Sequence, residues 1–424
     1  MKKLVSILLV VSLIFVMAAC GGSATTAATT AATTAETTAG TTGASGSTTA
    51  ATTAGTTAAA SKYDKLDKIY IGCILPLTGA GGATGKFVQT AADMWIEEVN
   101  AAGGILGKKV QMVYEDTQST DQGAANAYHK IAARGDISAS LGGQYSNQGL
   151  AALPFVKQYK IPTIHHGSSV KLTAAVADNP YTWQNRINDQ GTGFSMADAI
   201  VNVLKAKKIA VIHDTDAFGQ GLADNAIAAM KTFNVEPALV LKFQLGEKQF
   251  AGYLSQIKQA GCDGILMMAH PNEAALIQMG IKGAGLEDVI KVGSPDAGSS
   301  TTIALSQEAC NGWYSISDWV PTIDTEPGKS FAKKYQDKFG VVSDMNSSSA
   351  YDILTIFKAA IEKAKSQDPE AINTALGDLG EVVGVASVYS FNDQHIGATS
   401  QFLAINENEV PKVIDKIIRA DYKK

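Results

Sequence analysis

From residue 68 onward, short runs rich in aliphatic and β-branched residues alternate with stretches whose apolar positions recur every three to four residues. That switch of period predicts βαβ units built on parallel sheets. The run over 69–75 reads as the first strand. The stretch over 85–102 then places Val88, Ala92, Trp95 and Val99 on one helical face and stops at Gly103-Gly104, where a helix commonly terminates. Further strands are predicted over 110–115, 138–141, 162–164, 209–213, 238–243, 264–268 and 289–292, with helical patterns between them. One plan is repeated twice, so the predicted fold class is α/β with two sheets.

The N-terminal pattern is different. Lys2 and Lys3 precede an apolar run over 4–16, broken only by two serines, and Met17-Ala18-Ala19-Cys20 follows. This predicts a lipoprotein signal peptide over 1–19, cleaved before Cys20, whose sulfur then carries lipid. The run is shorter than the ~20 apolar residues a membrane span needs, which argues against a retained helix. Residues 21–60 lack Leu, Ile, Val and aromatic residues, and Glu36 is their only charge. Such a segment cannot bury enough apolar surface to offset the entropy of ordering. A tether over 20–65 is therefore expected; forty such residues reach roughly 35 Å as a coil. The predicted location is extracytoplasmic, lipid-anchored to the bacterial cell membrane.

Composition narrows the folded part. About 360 residues remain beyond the tether, which suits two lobes rather than one core. A net charge of -5 with scattered Lys and Arg gives no basic stripe, so nucleic-acid binding has nothing to rest on. Cys73, Cys262 and Cys310 match no zinc spacing; one bridge between Cys262 and Cys310, or three buried thiols, are the two readings.

In open α/β sheets ligands sit beyond the carboxyl ends of strands, where helix N-termini offer free N–H donors. After the first strand, Gly79, Gly81 and Gly85 satisfy a loose dinucleotide-binding pattern, and Glu115-Asp116 stands where a ribose-binding acid would. A ten-residue loop, the intervening Pro76 and the absence of a nicotinamide pool outside the cell count against a dehydrogenase. Later strand ends carry Gly142-Gly143-Gln144-Tyr145-Ser146-Asn147-Gln148 and His165-His166-Gly167-Ser168-Ser169. Ser146 and Ser169 can each hold an anionic group or simply cap a helix.

Pro76-Leu77-Thr78-Gly79, the block Asn100-Ala101-Ala102-Gly103-Gly104-Ile105, then Asp116, Ile161-Pro162, Asn185-Arg186, Asp214 with Phe218-Gly219-Gln220-Gly221, and Ala350-Tyr351-Asp352 follow a familiar order. The chain resembles the branched-chain amino acid (Leu/Ile/Val)-binding family of ABC-transporter solute-binding proteins over the whole body, in lipoprotein form. The resemblance implies a type I periplasmic-binding fold: two Rossmann-like lobes with parallel-dominated sheets, joined by a three-crossover hinge. It divides the body into 66–188 plus 318–392 and 189–317 plus 393–424. It implies that Ser146 and Ser169 hold a ligand carboxylate with help from a Gly167 backbone group, that Asp296 holds an ammonium, and that Phe218 packs over the ligand; Ser168 and Tyr145 are further expected ligand-binding residues. Thr84, His270 and Asn346 stand where family members carry aromatics, which exchanges apolar walls for polar ones. The family's disulfide near the first strands has no cysteines here.

A carboxylate facing a bound anion costs several kcal/mol unless a cation lies between them. Asp296 in the cleft therefore selects a zwitterion; Asp296 as the cap of a helix near residue 299 would readmit carboxylates, aromatic acids, amides or urea-like solutes. The polar positions favour a small or polar amino acid over a branched-chain one. A rival reading gathers His165, His166, His213 and His270 with Asp214, Asp216 and Asp296 as metal ligands, which requires lobe closure. No hydrolase motif has a fitting context, so the chain is expected to be no enzyme and to need no cofactor or resident metal. Expected partners are the small-molecule ligand, an ABC permease with its ATPase and, through lipid, the membrane, with the protein itself a monomer. A ligand sensor feeding a signalling partner is the alternative role.

Overall fold

The structure is a computed structural model that describes residues 61–398 and 400–419. The predicted signal peptide, lipidated Cys20 and tether up to residue 60 lie outside the described residues. Strands β1 (Lys68–Leu75), β2 (Lys109–Asp116), β3 (Ile137–Gly142), β4 (Thr163–His165) and β5 (Thr182–Gln184) form one sheet in the order β2-β1-β3-β4-β5. Every pairing in it is parallel. The second sheet combines β6 (Ile209–Asp214), β7 (Leu239–Phe243), β8 (Gly264–Met268), β9 (Ile290–Gly293) and β10 (Trp313–Ser317) with β13 (Ser400–Glu407) and β14 (Val410–Ile418). Its order is β14-β13-β10-β9-β8-β6-β7, parallel except for the last two strands in the chain. A small antiparallel pair, β11 (Val382–Val383) and β12 (Val388–Tyr389), stands apart.

Side-chain parity explains why these runs are strands. Along β1, Ile69, Ile71, Cys73 and Leu75 enter one core, while Ile74 enters another on the opposite face. In β6, Ile209 and Val211 face one way and Ala210 and Ile212 the other; β8 divides Leu266 and Met268 from Ile265 and Met267 in the same manner. Both faces are apolar because helices cover both.

On the first sheet, α1 (Gly82–Ala101) packs with α11 (Met345–Ala364), which also meets α12 (Pro369–Gly377). On its other face lie α2 (Asp121–Ala132) and α3 (Ser146–Tyr159). On the second sheet, α5 (Asp189–Asp198) packs with α6 (Ala217–Thr232), and α7 (Ala251–Ala260) with α8 (Pro271–Ala284). Short α4 (Val170–Ala174) and α9 (Ser300–Ser306), and the amphipathic α10 (Glu326–Phe339), complete the set. The chain passes between the sheets three times: after β5, after β10 and before β13.

One local expectation changes. The first helix begins at Gly82, three residues before the predicted start, and Gly81 caps it. Asp116, the residue a dinucleotide would require, is committed to the loop after β1: its Oδ1 accepts the N–H of Leu77 (2.9 Å), Thr78 (3.2 Å) and Gln118 (2.8 Å). All three cysteines of the folded body are buried free thiols, so Cys262 and Cys310 do not pair.

Candidate functional site

The carboxyl ends of both sheets face a common cavity of about 280 Å³, lined by Gln144, Tyr145, Ser146, His166, Gly167, Ser168, Arg186, Phe218, His270, Asp296, Met345 and Asn346. Four long helices begin there: α3 at Ser146, α6 at Ala217, α8 at Pro271 and α11 at Met345. Asp216 and Asp344 cap α6 and α11 through their side chains. Tyr145 and His270 precede α3 and α8 without a side-chain cap, so first-turn N–H groups of those two helices remain available to a ligand.

The first lobe supplies the hydroxyl wall. Glycine is required at 143, where a Cβ would come 2.3 Å from the Gly149 nitrogen, and at 167, where it would come 2.8 Å from Ser146 Cα. The approach at Gly167 brings the two loops against each other at the start of α3, and the one at Gly143 folds the first loop onto its own helix. Ser146 Oγ accepts the N–H of Ser169 at 3.2 Å, which leaves its own O–H to donate. Ser169 Oγ accepts from Lys171 N at 3.2 Å and caps α4; Ser169 does not line the cavity. The capping alternative thus describes Ser169, whereas Ser146 is the first residue of its helix.

Behind this wall runs a buried polar chain. Arg186 Nε donates to Asp318 Oδ2 at 2.5 Å, and its Nη1 lies 3.3 Å from His166 Nε2. His166 is held neutral, first by burial and then by the Arg186 charge, so its Nδ1–H points to Ser349 Oγ at 2.7 Å. Gly167 O accepts from Gln184 Nε2 at 2.7 Å.

The second lobe supplies the charges. His270 Nε2 donates to Asp216 Oδ2 at 2.9 Å, and its Nδ1 lies 3.6 Å from Asp296 Oδ2. Burial opposes protonation of this ring, yet the neighbouring carboxylates, Asp216 foremost, hold its pKa well above the ordinary value. The same pair works the other way on Asp216: burial opposes ionisation, and the His270 charge overrides it and holds the carboxyl low. Asp214, fully buried beside them, is pushed well above the usual carboxylate range by desolvation. Asp296 lies in a short 3-10 turn, Pro295–Gly298, and opens on the cavity; Ser299, not Asp296, caps α9.

The lobes meet around this site. The Tyr145 ring is edge-on to His270 with centroids 4.7 Å apart, and Phe218 lies 5.0 Å from the same ring. Asn147 Oδ1 accepts the Ala217 N–H at 3.1 Å, and Asn272 Nδ2 donates to Ala80 O at 3.1 Å. Thr84 is outside the cavity, in a separate space of about 710 Å³ that shares Tyr145 and His270 with it. Gln144, His166, Arg186 and Met345 line the cavity without a predicted role in ligand binding. A buried amide or guanidinium at a loop or crossover has no periodic signal, although Gln144 sits in the same glycine-hydroxyl loop as Ser146.

Of the histidines, His165 ends β4 with its pKa lowered to about 4 by burial, and His213 Nδ1 is bonded to Asp214 O at 2.6 Å. Among the described residues, Asp214, Asp216 and His270 are the trio whose donor atoms lie within 4.8 Å of one another. His165, His166 and His213 are not among them, so the wider metal set of four histidines does not assemble among the described residues.

Comparison with known proteins agrees with this architecture. The sequence profile described as periplasmic binding protein matches residues 68–407. An amino acid binding protein of Pseudomonas aeruginosa is 31% identical over 215 residues, covering 50% of this chain and 57% of that protein. A Leu/Ile/Val-binding protein homolog of Brucella melitensis is 26% identical over 332 residues, covering 73% of this chain and 86% of its relative. The crystal structure of a leucine binding protein from Thermotoga maritima superposes with a TM-score of 0.77 at 23% identity, over 83% of this chain and 99% of that one, a likeness of fold.

Proposed function

The chain belongs to the periplasmic binding protein family, and on that premise we propose that it is the extracytoplasmic solute receptor of an ABC importer, capturing a small α-amino acid between its lobes. The observation that carries the ligand class is a charge count. Asp216 and Asp296 flank a single imidazolium, His270, while the one guanidinium of the cavity, Arg186, is already matched by Asp318. At least one negative charge is left over beside Asp296, with the Asp344 carboxyl close enough to interact with it. A ligand ammonium balances it; a simple carboxylate would add to it.

The opposite wall accepts the other half of a zwitterion. The Ser146 hydroxyl and the uncapped N-terminus of α3 favour a carboxylate without a cationic side chain. Capture proceeds by closure: the first lobe takes the carboxylate, and His270, Asp296 and Phe218 then close on the ammonium side. Contacts to both lobes stabilise the closed form, which a permease would engage.

Thermal-shift and calorimetric titration with single amino acids, benzoate and urea tests the reading. A rise in Tm with an amino acid and none with benzoate or urea is expected. Stabilisation by benzoate alone would reject the zwitterion.

A further inference from the structure

Asp344, Asn346 and Gln144 form a chain of polar groups with one free end. Asp344 Oδ1 accepts the N–H groups of Asn346 and Ser347, each at 3.0 Å, and Oδ2 accepts from Asn346 Nδ2 at 3.0 Å. A carboxylate in this cap offers acceptors only, so Asn346 must turn its NH2 towards it. Asn346 Oδ1 therefore faces Gln144, and Gln144 answers with Nε2 at 2.6 Å. The orientation of both amides follows from one acid. What remains is Gln144 Oε1, an acceptor that no donor among the described residues reaches, on a side chain that lines the cavity.

Behind the Gln144–Asn346 pair, deeper in the first lobe, Ile74, Val88, Leu141 and Ile353 surround, with Ser349, a gap with room for about one water. It shares Gln144, His166 and Asn346 with the cavity. We propose that Gln144 is the specificity-determining residue for the ligand side chain. It selects α-amino acids whose side chain carries an O–H or N–H donor. An aliphatic ligand would leave a buried acceptor unpaired, and sites built to hydrogen-bond a ligand group reject analogues that lack it. The proposal rests on the amino-acid reading of the cavity.

The test compares side chains of matched shape, threonine with valine and serine with alanine, by calorimetry on the purified protein. The hydroxyl member of each pair should bind at least about tenfold more tightly. In Gln144→Met, which keeps volume and removes the acceptor, that preference should disappear. Equal binding of threonine and valine by the unaltered protein would overturn the proposal whatever the variant does. So would a Gln144→Met variant that weakens every amino acid alike. If amino acids bind without this ranking, only the assignment of Gln144 fails. If none binds at all, the amino-acid reading fails and takes this one with it.

Discussion

His270 carries its positive charge between Asp216 and Asp296, and this placement decides what the second lobe can hold. Asp296 does not wait for a ligand as a bare carboxylate; the imidazolium 3.6 Å away already shares it. The unmatched charge belongs to the trio rather than to one residue, which sequence reasoning about Asp296 alone does not reveal. Asp296→Ala removes that excess while Asp216 still holds His270. Affinity for a bound amino acid should fall by at least ~2 kcal/mol, the usual cost of losing one partner of a buried charged hydrogen bond. Unchanged calorimetric affinity would remove Asp296 from the ligand contacts. Ser146 was legible because glycine and hydroxyl residues cluster after strands, and Gly167 and Asp296 because the chain resembles a known family at those positions. Arg186 and His166 were not, because their roles depend on Asp318 and Ser349, far off in the chain.

At the scale of elements, helix starts do most of the positioning. The first turn of α5 holds Asp189, fully buried, with neither oxygen in a well-formed hydrogen bond among the described residues. Desolvation pushes its pKa up to about 7, against the pull of the Ser168 hydroxyl and of Arg186. The sign follows directly. The folded pKa lies above the ordinary 3.8, so ionisation in the folded state costs stability above pH 7, and that cost is relieved as pH falls from about 7 towards 4. Asp189→Asn should therefore be more stable than the parent at pH 8, by about 1.4 kcal/mol for every pH unit that separates the folded from the unfolded pKa, and lose this advantage near pH 4. Urea unfolding at both pH values checks it; a gain independent of pH would exclude titration as the cause.

The starts of α3 and α6 also meet each other, through Asn147 and the Ala217 N–H, while Asn272 at the start of α8 reaches the loop after β1. These two bonds join the lobes without lining the cavity. Replacing both asparagines with alanine should leave the carboxylate and ammonium contacts in place and weaken closure. Faster ligand release by roughly thirtyfold, measured by stopped-flow fluorescence, is expected, since two net hydrogen bonds of about 1 kcal/mol each are lost. An unaltered dissociation rate would show that the latches are incidental.

For the whole molecule, the sequence by itself determined the α/β class, the repetition of one βαβ plan and the loops that carry the hydroxyl wall. Those features are local: strand parity, helical period and glycine-hydroxyl clusters are written within a dozen residues. It also marked most of the cavity's lining, because sheet architecture brings strand ends to one place whatever the side chains are. Only the tertiary structure decided the rest. It put Thr84 and Ser169 outside the cavity and brought Gln144 and Asn346 together across two hundred residues of chain. It committed Asp116 to a loop and set one imidazolium between two acids. Charge balance and hydrogen-bond direction are properties of neighbours in space, and three passages of the chain between two sheets make those neighbours distant in sequence.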